Sequence, residues 1–258
     1  MEEFTQRNSL LLGIRALTVM KYFAPKDVVD KSFIRIGRNY DGGYVMVDDF
    51  SKCEAAYSFG ISDDVSWDLD IAKRGIDVFL YDHTIEKLPI QNDNFHFFKT
   101  GVCGTSGENT NLKTLEEILT ENGHIANKNL ILKIDIEGAE WEVFSKTPSE
   151  TIENFAQIVV EFHGVNSVHD GHKFNTMLGV FEKLNKTHQV VHVHANNYGS
   201  YDIIGGVPLP ISFEITYLRK MDNHFVPSHK YYPVQGLDMP NNPNTADIFL
   251  GYYSMFAD

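Results

Sequence analysis

Short apolar runs alternate with stretches of helical period from about Ala55 onward. The runs "AAYSF", "VFLY", "FHFFKT" (Phe95 to Thr100), "LILKI" (Leu130 to Ile134) and "QIVVEF" (Gln157 to Phe162) read as strands. Between them the pattern predicts helices over Val65 to Arg74, near Leu112 to Thr120, beginning at Glu140 to Phe144, and over His172 to Leu184. Such alternation argues for a parallel sheet covered on both faces. The ending departs from it, because "QVVHVH" (Gln189 to His194) leads through the polar, glycine-bearing "ANNYGSYDIIGGVPLP" into "SFEITYLR" without a helix. Two strands so joined predict a hairpin-like antiparallel addition to the sheet. Ahead of the alternation, "FIRIGRNYDGGYVMVDD" reads as two short strands about the turn at Asp41 to Gly43, and "MEEFTQRNSLLLGIRALTVMKYF" as an amphipathic helix packed on the domain. The expected organisation is one α/β domain over residues 1–258: N-terminal helix and hairpin to 50, Rossmann-like core over 51–220, and an irregular wrap rich in Pro, Asn and aromatics over 221–258.

Composition narrows the class. A chain of 258 residues with 43% hydrophobic content has enough apolar surface for a substantial core. Thirty-five acidic against twenty-two basic side chains give a formal charge of −13, which disfavours attraction to nucleic acid or to an anionic membrane. Cys53 and Cys103 supply neither a thiolate cluster nor a disulfide framework, so a reducing, cytoplasmic location is expected. The N-terminal stretch begins acidic and is interrupted by Arg15 and Lys21, which suits neither a signal peptide nor a membrane span.

Ligands of open α/β sheets bind beyond the carboxyl ends of the strands, so the residues that follow each apolar run carry the chemistry. Gly60 follows the first strand of the alternation and Asp82 the second, 22 positions later, close to the spacing at which an acid reaches a ribose hydroxyl. The competing reading is an ordinary turn glycine and a helix-capping Asp. GxGxxG is absent and acids are many, so a mononucleoside carrying positive charge suits the site better than a dinucleotide; S-adenosylmethionine is such a ligand.

The stretch "LILKIDIEGAEWEVF" ends an apolar strand in Asp135, Glu137, Glu140 and Glu142. A carboxylate there loses solvation and needs a hydrogen-bond partner, a ligand or a cation. Asp135 ends the fourth strand, Glu161 the fifth, His163 follows two positions on, and His192 and His194 share one face of the next. Carboxylates and imidazoles converging at one sheet end make Asp135, Glu161 and His194 candidate ligands for a divalent cation, Mg²⁺ or, with imidazole, Mn²⁺, Fe²⁺ or Zn²⁺. The plainer readings are half-exposed, hydrogen-bonded histidines, helix-capping Glu137 and Glu140, a solvated Glu142, a core Trp141, and loop or cap roles for His169 and His172.

The stretches "RIGRNYDGGYVMVDD", "YSFGISDDVSWDLDIAKRG", "VFLYDHT" and "LKIDIEGAEWEVF", with "VVEFHG" and "HVHANN" downstream, resemble the FkbM-type class I S-adenosylmethionine-dependent methyltransferases, in their methyltransferase-like branch, over roughly residues 33–218. The resemblance implies a Rossmann-like sandwich with a mostly parallel seven-stranded sheet and an antiparallel C-terminal strand. It also implies S-adenosyl-L-methionine as cofactor, with Gly60 and Ser62 along the methionine, Asp82 on the ribose, Gly101 and Val102 bordering the adenine, and Asp135 beside the sulfonium and acceptor. Arg38 and Asp41 lie in the N-terminal stretch without an assigned role. Asp135, His163 and His194 are the catalytic candidates, with a histidine as base where no metal serves. The expected reaction is O-methylation of a sugar or sugar-linked intermediate of surface glycan or capsule assembly, a phosphoramidate acceptor included. The expected partner is a small-molecule or glycan-linked substrate, with no nucleic acid and no membrane insertion; the oligomeric state stays open. The rivals are a metal-dependent hydrolase using the same carboxylates and histidines, and a non-catalytic cofactor-binding module.

Overall fold

The computed structural model describes residues 2–107 and 111–253, with side chains from Ser9 onward. In chain order it runs α1 (Glu2–Tyr22), β1 (Lys26–Val28), β2 (Phe33–Ile36), β3 (Tyr44–Val47), β4 (Ala55–Phe59), α2 (Ser66–Ala72), β5 (Val78–Tyr81), β6 (Phe95–Phe98), β7 (Gly101–Cys103) and β8 (Leu112–Thr114). Then come α3 (Leu115–Glu121), β9 (Leu130–Ile134), α4 (Glu140–Lys146), α5 (Ser149–Ile152), β10 (Phe155–Phe162) and, after a 3₁₀ turn at Val165–His169, α6 (Gly171–Thr187). The chain continues through β11 (His188–Ala195), β12 (Tyr201–Ile204), β13 (Val207–Pro210), β14 (Phe213–Arg219), β15 (Phe225–Pro227), β16 (Tyr231–Tyr232) and β17 (Gly251–Tyr252).

Seven strands form the central sheet in the order β11-β14-β10-β9-β4-β5-β6. β10, β9, β4, β5 and β6 pair in parallel, and β14 is antiparallel to both β10 and β11. This is the Rossmann-like, mostly parallel seven-stranded arrangement. The antiparallel strand forms the expected hairpin-like pair with β11 and slots between β10 and β11. All seven of its residues are buried, so it is covered on both faces and flanked on both sides, which suits an interior position. β6 alternates half-buried and exposed side chains, as an edge strand should.

Successive side chains feed two cores. Tyr57, Leu132 and Ile158, neighbours across β4, β9 and β10, face one side with α1 and α6, while Ala56, Ile131 and Val159 face the other with α2 and the β2–β3 hairpin. α1 is held by Ala16, Val19 and Phe23, the last ringed by Phe162, Phe181 and Phe213. One helix start needs correction. Leu112–Thr114 is a strand paired with β7, and α3 begins only at Leu115. Thr114 accepts from the Glu117 N–H while the Glu117 carboxylate accepts from the Thr114 N–H at 2.7 Å, a capping box that fixes the boundary.

From β4 the chain steps outward through β5 to β6, then returns to β9 on the other side of β4 and steps outward again to β10. The strand order therefore reverses between β4 and β9, where loops leave in opposite directions and open a cleft.

Candidate functional site

The cleft is a cavity of about 570 Å³ whose lining includes Gly60, Ser62, Asp82, Gly101, Val102 and Asp135. The turn after β4 is pressed against the end of β9. Gly60 has φ +80°, and a Cβ there would come within 1.6 Å of the Asp135 carbonyl oxygen. The next two N–H groups, of Ile61 and Ser62, both donate to Asp82 Oδ2 at 2.9 Å. Thr84 donates to Oδ1 twice, from its N–H at 2.7 Å and its hydroxyl at 2.6 Å. Burial opposes the charge on Asp82, but these bonds prevail and hold its carboxyl below the usual range. All four lone-pair directions of the carboxylate are met by the chain itself.

Lys133 is the apolar strand's one charged residue and is almost wholly buried. Its ammonium donates to the Gly60 carbonyl at 3.0 Å and lies 5.6 Å from the Tyr44 ring centroid. It faces Asp68, a buried carboxyl pushed up by burial and drawn back by the Lys133 charge. The Tyr44 hydroxyl donates to Asp135 Oδ2 at 2.9 Å. Lys133 and Tyr44 thus clamp the turn and the carboxylate from below.

Past Asp135 the cavity adjoins a second, polar chamber of about 470 Å³, lined by Asp41, Asp135, Glu137, Glu161 and His163 among others. His163 Nδ1 lies 3.1 Å from Glu140 Oε1, which also accepts from the Ile136 and Gly138 N–H groups. Glu140 is fully buried. It both caps the turn into α4 and orients the imidazole. With Nδ1–H given to Glu140, Nε2 is left facing Glu161 Oε1 at 3.5 Å, Glu137 Oε2 at 3.6 Å and Asp135 Oδ1 at 3.8 Å. Burial works against a charge on His163, but the Glu140 bond and the charges of Glu161, Glu140 and Asp135 push its pKa up to about 9. Glu161 goes the other way: burial, then Asp135 and Glu214, lift its carboxyl well above the ordinary range. Burial likewise raises Asp135, with Lys133 and His163 pulling against it. Asn196 donates to Glu161 at 2.8 Å.

His194 is not part of this cluster. Across the sheet it stands in line with Glu214, Glu161 and the end of β9, but Glu214 of the inserted strand lies between. Its Nδ1 meets Glu214 at 3.0 Å and its Nε2 meets Asp247 at 3.1 Å. Burial disfavours its charge, yet Asp247 and Glu214 raise its pKa to about 10. A doubly bonded imidazolium has no lone pair for a metal or for a proton, so the imidazole in the chamber is His163. Among the described residues, Asp135, Glu140 and His163 are the group whose donor atoms cluster closely enough for an ion. His192 pairs with Asp238 at 2.8 Å, away from the chamber. Asp41 lines both cavities and accepts from Asn241 at 3.1 Å, and Arg38 donates to the Asp41 carbonyl at 2.7 Å. Glu142 is exposed, and Trp141 is half-buried, stacked on Phe162. His169 is exposed in the 3₁₀ turn, and His172 in the first turn of α6.

Sequence reasoning passed over Tyr44, Glu214, Asn196 and the orienting role of Glu140. A buried lysine inside an apolar strand was the one readable sign of the supporting layer.

The Rossmann-like sheet thus carries a cavity at its switch point and an acidic chamber beside it, the place where such sheets bind ligands. Residues 81–187 match the family model of the methyltransferase FkbM domain, consistent with an FkbM-type methyltransferase. No curated protein matches the chain. A solved Streptococcus thermophilus structure bearing the name hemolysin is similar at 11% identity over 70% of this chain and 72% of that one, with a TM-score of 0.35, a likeness too slight to use. Among the described residues, no helix is long and apolar enough to cross a membrane.

Proposed function

We propose that this chain is an S-adenosylmethionine-dependent O-methyltransferase whose acceptor is a sugar or sugar-linked intermediate of surface glycan or capsule assembly, assisted by a divalent cation. The observation that carries the reading is the pairing of the switch-point cavity with a hydrophilic chamber in which one imidazole nitrogen faces three carboxylates.

S-adenosylmethionine, when bound, supplies an electrophilic methyl group on a sulfonium. Gly60, Ser62 and Asp82 shape the nucleoside and methionine side of the cavity, with Gly101 and Val102 on its far wall. A ribose hydroxyl donating to Asp82 would displace the Thr84 hydroxyl, the donor of the four that rotates freely. Asp135 stands where the two cavities meet and offers its negative charge to the sulfonium. In-line displacement asks the enzyme to hold the acceptor oxygen and take its proton as the C–S bond breaks. An imidazolium at His163 cannot accept that proton. The nearby carboxylates can, and burial has raised the basicity of Glu161 for that task.

The donor set suits a hard cation. Asp135 and His163 would hold it, with Glu140 on the other ring nitrogen as the orienting carboxylate usual for metal-bound histidine and Glu161 beside them as the proton acceptor. A cation bound there would lower the pKa of an acceptor hydroxyl, and His163 would have to give up its proton to it.

Calorimetry tests both parts. S-adenosylhomocysteine should bind, and NAD should not raise the melting temperature where S-adenosylhomocysteine does. Mn²⁺ should bind the wild type and fail to bind Asp135→Asn or His163→Ala, while S-adenosylhomocysteine binding survives EDTA. Absence of S-adenosylhomocysteine binding would overturn the methyltransferase reading; Mn²⁺ binding that ignores both substitutions would remove the cation.

A further inference from the structure

A third cavity, of about 590 Å³, opens between α4 and α6 on the other side of His163. It shares Glu137 and His163 with the acidic chamber and Glu142 with the cofactor cavity. Its carboxylates and lysines divide by that sharing. The acids, Glu137 and Glu142, are those it has in common with its neighbours, whereas Lys146, Lys173 and His172 line this cavity and neither of the other two. Neither lysine is engaged in a salt bridge among the described residues, in a chain whose formal charge is −13. Lys173 also acts on the Asp170 carboxylate at the start of α6, but two exposed ammonium groups at one concavity of an acidic protein favour an anion there.

The wall is equally specific. Trp141 is held by stacking on Phe162 at 4.4 Å between centroids and by its indole N–H, which donates to the His163 carbonyl at 2.7 Å. A fixed indole beside the buried Met177 offers an apolar surface for the body of a ligand, and Ser167 and Thr176 add hydroxyls. From chamber to cavity the lining therefore passes from carboxylates, over an aromatic ring, to ammonium groups.

We infer that this cavity is a second acceptor subsite, which holds an anionic group, phosphate or carboxylate, attached to the sugar whose reacting oxygen lies in the acidic chamber. The inference rests on the methyltransferase reading of that chamber and extends it: the substrate is an acidic sugar or sugar phosphate, reaching past Trp141 to Lys146 and Lys173. A neutral sugar would bring the two ammonium groups no charge of its own and gain only the contact with the indole.

Intrinsic fluorescence tests this, because Trp141 lines the cavity while the buried Trp67 lines the cofactor cavity, which S-adenosylhomocysteine keeps saturated throughout. Glucose 1-phosphate, glucuronate and glucose are titrated into the full chain in the presence of S-adenosylhomocysteine, and the Trp141→Phe variant isolates the Trp141 signal. Glucose 1-phosphate or glucuronate should change the emission saturably, and glucose should not; whichever of the two binds tighter assigns the anion. The Lys146→Ala/Lys173→Ala variant should bind that anion roughly 2–30-fold more weakly, the range for two exposed charge contacts, with S-adenosylhomocysteine affinity unchanged. Glucose binding as well as the anions, anion binding that ignores the double substitution, or no saturable change with any of the three overturns the subsite. With S-adenosylhomocysteine still bound, any of those results leaves the cofactor site standing; failure of S-adenosylhomocysteine to bind the wild type would instead overturn the methyltransferase reading.

Discussion

Replacing Gly60 by Ala measures how tightly the turn after β4 is built against the end of β9. The residue sits at φ +80°, where any L side chain is strained by about 1–2 kcal/mol. Its Cβ would also lie 1.6 Å from the Asp135 carbonyl oxygen, against the 3.0 Å below which such contacts essentially never occur, so the ends of β4 and β9 must part by about 1.4 Å. Neither neighbour is a flexible side chain; both are backbone in adjacent parallel strands, tied by the Asp135 N–H donating to the Phe59 carbonyl at 3.0 Å. That displacement pulls the Gly60 carbonyl from the Lys133 ammonium, and a bond to a charged group is worth about 1.5–3 kcal/mol. Together the terms amount to about 3–5 kcal/mol of stability. Gly75 supplies the control, with φ +78° and nothing within 4 Å of an added methyl, so Gly75→Ala should cost only about 1 kcal/mol. Urea unfolding followed by circular dichroism reads both, with the slope checked for constancy. S-adenosylhomocysteine affinity should fall in the first variant and hold in the second. Equal losses from the two substitutions would refute the close packing of the turn on Asp135.

Asp82→Ala strands the Ile61, Ser62 and Thr84 N–H groups, so it should lower stability by about 2–4 kcal/mol and weaken S-adenosylhomocysteine by at least about tenfold in a calorimetric titration. Wild-type values on both counts would show that the carboxylate neither orders the turn nor meets the ligand. His188 is wholly buried and donates from Nε2 to the Phe155 carbonyl at 2.8 Å, and burial chiefly lowers its pKa to about 4. Its unfolded form keeps the ordinary 6.5 and so binds more protons in between; the contribution is fully present above pH 6.5 and is lost as pH falls toward 4, by about 3 kcal/mol. Denaturant midpoints of the wild type and His188→Gln between pH 7 and 4.5 should diverge in slope, and parallel curves would rule the titration out.

Much of this protein could be read from pattern. Alternating apolar runs and helical stretches specify a covered parallel sheet, because a strand buried on both faces must be apolar throughout and its crossover must carry a helix stripe. Gly60, Asp82, Asp135 and Glu161 were legible as strand-end residues, since the end of an apolar run marks its own carboxyl edge. What the pattern could not supply was the lateral order of the strands. Strand order follows from how loops pack over the sheet, and side-chain period says nothing of which strand lies beside which. The insertion of β14 between β10 and β11 sets Glu214 against His194 and commits that imidazole to Glu214 and Asp247. His163, just beyond the end of β10, is left to face Asp135 and Glu161. Two histidines with similar surroundings in the sequence thus take unlike roles, because the charge on an imidazole depends on which carboxylates come within a few ångströms, and only the folded arrangement sets those distances.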